Sequence, residues 1–293
     1  MSTPFSFTMT LQALVAVMLF SLSVPATDIA LADVSANFIG AFRTALAGIL
    51  ALLYCQLRGW PWPPRAAIPW LLLCTFGTVF TYPYLLGHAL ERISAANTGV
   101  VLAALPLLTA VLAALLQRQK LSRQFCFWAV LGMVASMAYF TFATDDQPLT
   151  DNSWDLFVLI ALLLCGALGY AGGAQAAGII GGWQTVCWAL IFGLPCSVFI
   201  FGWQWGLQPS GISSSSWLAL LYAAIINQWL AFLFWYRALA YDAASLSQLQ
   251  LLQPLFTLFA VTIWLGHSVS TGQWLLCLVV MACVTAALHS RHR

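Results

Sequence analysis

Ala89-Leu90-Glu91-Arg92-Ile93-Ser94-Ala95-Ala96 closes one long apolar stretch and opens the next, and Ala238-Leu239-Ala240-Tyr241-Asp242-Ala243-Ala244-Ser245 does the same later in the chain. Beyond each lies a second match: Pro106-Leu107-Leu108-Thr109 corresponds to Pro254-Leu255-Phe256-Thr257, 148 residues further on. The chain has 293 residues, so the sequence reads as two copies, 1–146 and 147–293, of one structural unit.

Neither copy suits water. Hydrophobic residues make up 62% of the chain and charged residues only 6%, with a mean hydropathy of +0.91, whereas a soluble domain carries about 25% charged residues. Ten stretches approach the roughly 20 apolar residues that a membrane helix needs. They run from Phe7 to Pro25, Ala36 to Leu57, Ala67 to His88, Ala95 to Leu116, Phe125 to Ala143, Trp154 to Gly173, Trp183 to Gly202, Trp217 to Tyr236, Ala244 to Gly266 and Gln273 to Leu288. The expected fold is therefore an all-α integral membrane protein with ten transmembrane helices and no separate soluble domain. Five spans per copy is an odd number, so the second copy enters the membrane upside down and the halves form inverted five-helix repeats. Phe7–Val24 followed by Ala30-Leu31-Ala32 also has the outline of a signal peptide. No Lys or Arg precedes it and its removal would break the repeat, so it is read as the first span.

Charge placement sets the orientation, because short cytoplasmic loops collect Lys and Arg. With both termini cytoplasmic, Arg58, Arg65, Arg118, Lys120, Arg123, Arg237, Arg291 and Arg293 all lie inside. Asp28, Asp33, Glu91, Asp145, Asp146, Asp151 and Asp155 then all lie outside. Arg43, Arg92 and Asp242 depart from the pattern. The net charge of +2 is too small and scattered for a nucleic-acid footprint. All eight cysteines fall within spans without C-x-x-C spacing, so they are expected to be packing residues rather than disulfides or metal ligands. No cofactor is expected, and the lack of a G-x-x-x-x-G-K-[ST] loop excludes ATP-driven pumping. The span faces carry no clear dimer motif, so a monomer in the lipid bilayer, acting on a small-molecule substrate, is expected.

Several segments resemble a known family. Phe20-Ser21-Leu22-Ser23-Val24-Pro25 looks like the broken first span of the EamA-like branch of the drug/metabolite transporter superfamily. Phe42-Arg43-Thr44-Ala45-Leu46-Ala47 resembles the opening of that family's second span, and the two turn-and-proline segments resemble its later signatures. Aromatic richness and the lack of deep intramembrane acids are most similar to the aromatic amino-acid exporters of YddG type. The resemblance implies a ten-helix carrier of small metabolites, commonly moving them outward across a bacterial inner membrane.

Polar groups inside lipid are costly unless they are paired or face a wet cavity. They concentrate in spans 1, 3, 4, 6, 8 and 9, which are expected to line the path. The expected substrate-binding residues are Ser21, Tyr82, Tyr84, His88, Asn97, Tyr170, Asn227, Trp235, Tyr236 and Gln253. Aromatic faces would stack on a flat apolar group while Asn97, His88, Asn227 and Gln253 bond the polar end. Each has a plainer reading beside this one: interfacial belt for Tyr and Trp, helix-to-helix bonding for Gln, and a structural role for His88. Arg43 has two readings, a partner for a substrate carboxylate or a cation that snorkels to the interface. Pro25, Pro106, Gly169 and Pro254 are expected at hinges or gates. Without an intramembrane carboxylate, coupling through a buried acid is disfavoured, leaving facilitated diffusion or a relay through a group such as His88. A membrane enzyme would need a His, Asp or Glu cluster that the sequence lacks, and a channel would favour a continuous polar stripe.

Overall fold

The computed structural model describes residues 7–116, 122–142, 153–207, 211–238 and 247–290, which are helical with short connections and no strand. Much of the second turn motif, Leu239 to Ser245, and the charges at Arg118, Lys120, Asp145, Asp146, Asp151, Asp242, Arg291 and Arg293 lie outside the described residues. The helices are α1 (Phe7–Leu31), α2 (Ala36–Arg58), α3 (Ile68–Leu90), α4 (Ala95–Leu116), α5 (Arg123–Phe142), α6 (Ser153–Ile180), α7 (Gly182–Trp205), α8 (Ser214–Ala238), α9 (Ser247–Leu252 continuing as Gln253–Trp264) and α10 (Thr271–Ser290). Among the described residues, seven helices, α1 to α4 and α6 to α8, are long and apolar enough to cross a membrane. Large apolar side chains such as Phe199, Trp203 and Ile263 are exposed on the outer surface, as lipid-facing residues would be.

Local chemistry sets the helix ends. Ser35, Ser94 and Ser213 accept the backbone N–H of Phe38, Asn97 and Ser216, each at 3.3 Å, which satisfies a donor that the first helical turn leaves free. Gly59 stops α2 in the left-handed region at φ 61°, a conformation that glycine adopts without strain. The first span runs further than the sequence suggested, to Leu31 rather than Pro25. Its regular helix breaks at Leu22 and restarts at Ser23, so Pro25 falls in a first turn, where a missing N–H is tolerated. Asp28 is thereby drawn into the last turn of α1.

Helices α3 and α8 share an irregularity. Thr75–Thr81 in α3 and Tyr222–Ala231 in α8 wind as π-helix, and their first residues are 147 apart. In α4 and α9 a 3₁₀ segment, Leu102–Ala104 or Ser247–Leu252, comes just before Pro106 or Pro254. Packing repeats in the same sense: α1 packs on α9 as α6 packs on α4, and α8 packs on α1 as α3 packs on α6. Helices α2 and α7 share the most extensive contact, and α5 pairs with α10. Among the cysteines, Cys55, Cys74, Cys187, Cys277 and Cys283 are buried, while Cys126 and Cys196 are exposed.

Candidate functional site

Proline leaves the carbonyl four residues before it without its helical donor, and two such carbonyls organise the centre of the bundle. Pro25 removes the donor to the Ser21 carbonyl, and Thr257 Oγ1 of α9 donates to that oxygen at 3.1 Å. Ser21 Oγ shares its one proton between the Val17 carbonyl at 2.7 Å and the Gln253 carbonyl at 3.1 Å, so a second, weaker bond runs from α1 to α9. Pro83 removes the donor to the Val79 carbonyl. That oxygen accepts from Thr44 Oγ1 at 2.8 Å and from Gln228 Nε2 at 3.3 Å, joining α2 and α8 to the π-helical part of α3.

Arg43 lies two turns inside α2 and is 2% exposed. It does not snorkel. Its Nε donates to Gln228 Oε1 at 2.7 Å, one terminal nitrogen donates to Ser23 Oγ at 3.3 Å, and the other donates to Asn227 Oδ1. All three acceptors are neutral. Asn227 is fixed in turn, its Nδ2 donating to the Leu19 carbonyl at 3.0 Å, where Tyr222 also donates at 2.8 Å.

Beside this network is a small cavity lined by Phe20, Ser23, Arg43, Thr78, Tyr82, Tyr170, Asn227, Phe232 and Gln253. Rings form part of its wall and the Arg43 network another part. The space that the centre of a water-sized sphere can reach is about 10 Å³, room for roughly one water. A second cavity of the same size lies where α4 and α9 meet, and both Pro106 and Pro254 line it. A wider opening of about 450 Å³ lies at one end of the bundle, among Asp33, Ser35, Glu91, Gln204 and their neighbours.

Of the ten expected binding residues, the structure brings Tyr82, Tyr170, Asn227 and Gln253 together at the central cavity. Ser21 is buried beside it and engaged with Val17 and Gln253. Trp235 packs edge-on behind Phe20, with ring centroids 6.3 Å apart. Tyr236 stacks on Phe232 and lines a separate small void with Cys74 and Gln228. Tyr84 covers the bare backbone of Gly40, where an added Cβ would come within 2.8 Å of its ring. His88 sits at the end of α3 against Glu91 at 3.0 Å and Asn37 at 3.1 Å. Asn97 accepts from Gln273 Nε2 of α10 at 2.7 Å. Gly169 meets α3 so closely that a Cβ would run into the backbone of Thr78. The cavity also contains Phe20, Ser23, Arg43, Thr78 and Phe232, which were not among the ten. Thr78 carried a usable signal, since it is one helical turn before Tyr82 and so shares its face.

The all-helical fold and its long apolar helices define a multi-pass membrane protein, and the comparisons say of which kind. The model of the EamA-like transporter family matches the chain twice, over residues 8–141 and 152–288. The chain is also 32% identical over 286 residues to an uncharacterized transporter, YdeK, of Bacillus subtilis (strain 168), an alignment covering 94% of this chain and 96% of that one. A solved crystal structure shares the fold with a TM-score of 0.65 at 18% identity, over 97% of this chain and 98% of the other. This chain belongs to the EamA-like transporter family and is a membrane transporter.

Proposed function

We propose that the protein exports small amphipathic metabolites, foremost aromatic amino acids, across a bacterial inner membrane by alternating access. In this reading ten helices cross the bilayer as two inverted five-helix repeats with both termini in the cytoplasm. The paired family matches and the recurrence of π-helical, 3₁₀ and packing features at half-chain spacing support that topology.

One observation carries the substrate class. The central cavity sets Phe20, Tyr82, Tyr170 and Phe232 beside Ser23, Arg43, Asn227 and Gln253, a surface for a flat apolar group next to one for a polar end. Its small free volume means that an amino acid enters only when helices part, and the 3₁₀ turns before Pro106 and Pro254 give α4 and α9 places to bend. His88 bonds Glu91 and Asn37 rather than the cavity, which favours facilitated exchange over a relay through that histidine. Other small neutral or zwitterionic metabolites or drugs are the alternative substrates, and no enzymatic step is assigned to the site.

The test is counterflow in liposomes holding the purified protein, with labelled tryptophan, phenylalanine, threonine and a control cation, with and without a pH gradient. Saturable aromatic counterflow without a gradient is expected. Movement of threonine or the cation alone would replace the substrate assignment, and flux that requires a gradient would replace the coupling assignment.

A further inference from the structure

A buried guanidinium needs more than hydrogen bonds. Arg43 carries five N–H donors, and Ser23, Asn227 and Gln228 engage three of them. Neutral oxygens solvate the charge without cancelling it, and among the described residues no carboxylate pairs with Arg43. Buried charges in proteins are ordinarily paired, and in an apolar bundle the demand is stronger. The residue also lines the central cavity, so a ligand that enters the cavity can reach it.

We propose that the missing counter-charge is the ligand's own carboxylate, which docks on Arg43 by displacing the side-chain oxygen of Asn227. The guanidinium offers two parallel donors to a carboxylate, and this bidentate pairing adds a counter-charge and a geometric fit that one neutral amide oxygen lacks. The exchange has a mechanical result. Asn227 and Gln228 are the two residues of α8 that tie it to Arg43 of α2, so a ligand that takes the place of Asn227 on Arg43 removes one of those two ties, whereas a ligand without a carboxylate leaves both intact. The inference rests on the central cavity being the substrate site. It narrows the substrate class to carboxylates, whether or not an aromatic part is also required.

The experiment is ligand-dependent thermal stabilisation of the purified full chain, with probes that separate the two features. Tryptophan and indole-3-propionate have both a ring system and a carboxylate. Tryptamine and tryptophan amide keep the ring without the carboxylate, and leucine and butyrate keep the carboxylate without the ring. Stabilisation by carboxylate-bearing probes alone is expected. Two variants are then compared: Arg43→Gln removes the receptor, and Asn227→Asp builds a competing carboxylate at the position that Asn227 Oδ1 occupies. Each is expected to weaken the apparent affinity for carboxylates on the order of 10- to 100-fold.

Equal stabilisation by tryptamine or tryptophan amide overturns the proposal while leaving the aromatic reading in place. Stabilisation by leucine and butyrate, with none from the indoles, upholds it and removes the aromatic reading. Undiminished carboxylate binding by a monodisperse Asn227→Asp protein also overturns it, as does the absence of stabilisation by any carboxylate probe. The wild-type ligand series needs no variant to fold.

Discussion

At the residue scale the structure turns on carbonyls that proline frees and distant side chains take up. Thr257 is the donor to the Ser21 carbonyl, and replacing it with valine keeps the shape while leaving that oxygen without a partner. Thr257→Val is expected to lower stability by about 1 kcal/mol, read as a drop of a few degrees in the detergent unfolding midpoint. Adding Ser21→Ala, which cuts the reciprocal link, is expected to lower it less than additively, because both bonds hold the same two helices. Tyr82 contributes a ring face to the cavity. Tyr82→Ala is expected to weaken binding of an aromatic substrate by up to about tenfold, whereas Tyr82→Phe keeps most of the affinity. Comparable losses in both variants, in a binding titration, would mean that the hydroxyl and not the ring is used.

At the element scale, helix contacts are set by glycines that admit another backbone. Gly169 of α6 lies against Gly77 and Thr78 of α3 with no room for a methyl group, whereas Gly178 on the same helix has open space. Gly169→Ala is expected to destabilise by about 1–3 kcal/mol or to prevent recovery of folded protein. Gly178→Ala is expected to be neutral or to add up to about 1 kcal/mol through helix propensity. Paired unfolding curves of the two variants check this, and similar midpoints would refute the packing argument.

The sequence carried much of this. Hydropathy and turn residues located an apolar stretch for each described helix, although α1 runs on to Leu31 and α6 to Ile180, and the Pro106 and Pro254 pair marked the 3₁₀ segments in α4 and α9. What it could not carry was which side of each helix turns inward. The helices are apolar on nearly all sides, so periodicity gives little direction, and π-helical winding in α3 and α8 shifts the facing of the residues beyond it. Tyr82 and Tyr84 are adjacent in a list of aromatic residues, yet one lines the cavity and the other covers Gly40. Arg43 left two readings open because a single long side chain gives no sign of its partners, and Asn227 and Gln228 are far from it in sequence.

At the scale of the whole molecule, the expected arrangement puts both ends of the chain in the cytoplasm. A reporter enzyme active only in that compartment is expected to work when fused at either terminus, and activity at one end alone would contradict an even number of spans. The opposite end of the bundle carries a pH-sensitive tie. Asp33, in the connection between α1 and α2, accepts the Ser213 backbone N–H at 2.9 Å and the Ser213 hydroxyl. These bonds hold its carboxyl below the usual range. A carboxyl lowered by folding stabilises the fold at pH values above its unfolded pKa, and that contribution fades as pH falls through the folded value. The gap in unfolding midpoint between wild type and Asp33→Asn is therefore expected to be steady from neutral to mildly acidic pH and to close below about pH 4. A gap unchanged in acid would show that the carboxylate charge is not used there.

The matched π-helical stretches have a consequence for how the chain tolerates insertion and deletion. Such a stretch holds its helix slightly underwound, so removing one residue from Thr75–Thr81 would barely shorten α3. A π turn holds one residue more than an α turn for about the same rotation, so the shortened stretch can wind as α-helix and leave Tyr82 close to its facing. The regular helix just before it, Ile68–Cys74, has no such reserve. A one-residue deletion there would turn everything beyond the cut by about 100° about the helix axis and swing Tyr82 off the cavity. Ser214–Leu221 and Tyr222–Ala231 stand in the same relation to Phe232. A one-residue gap should thus be tolerated inside the two π-helical segments and silence the carrier just ahead of them.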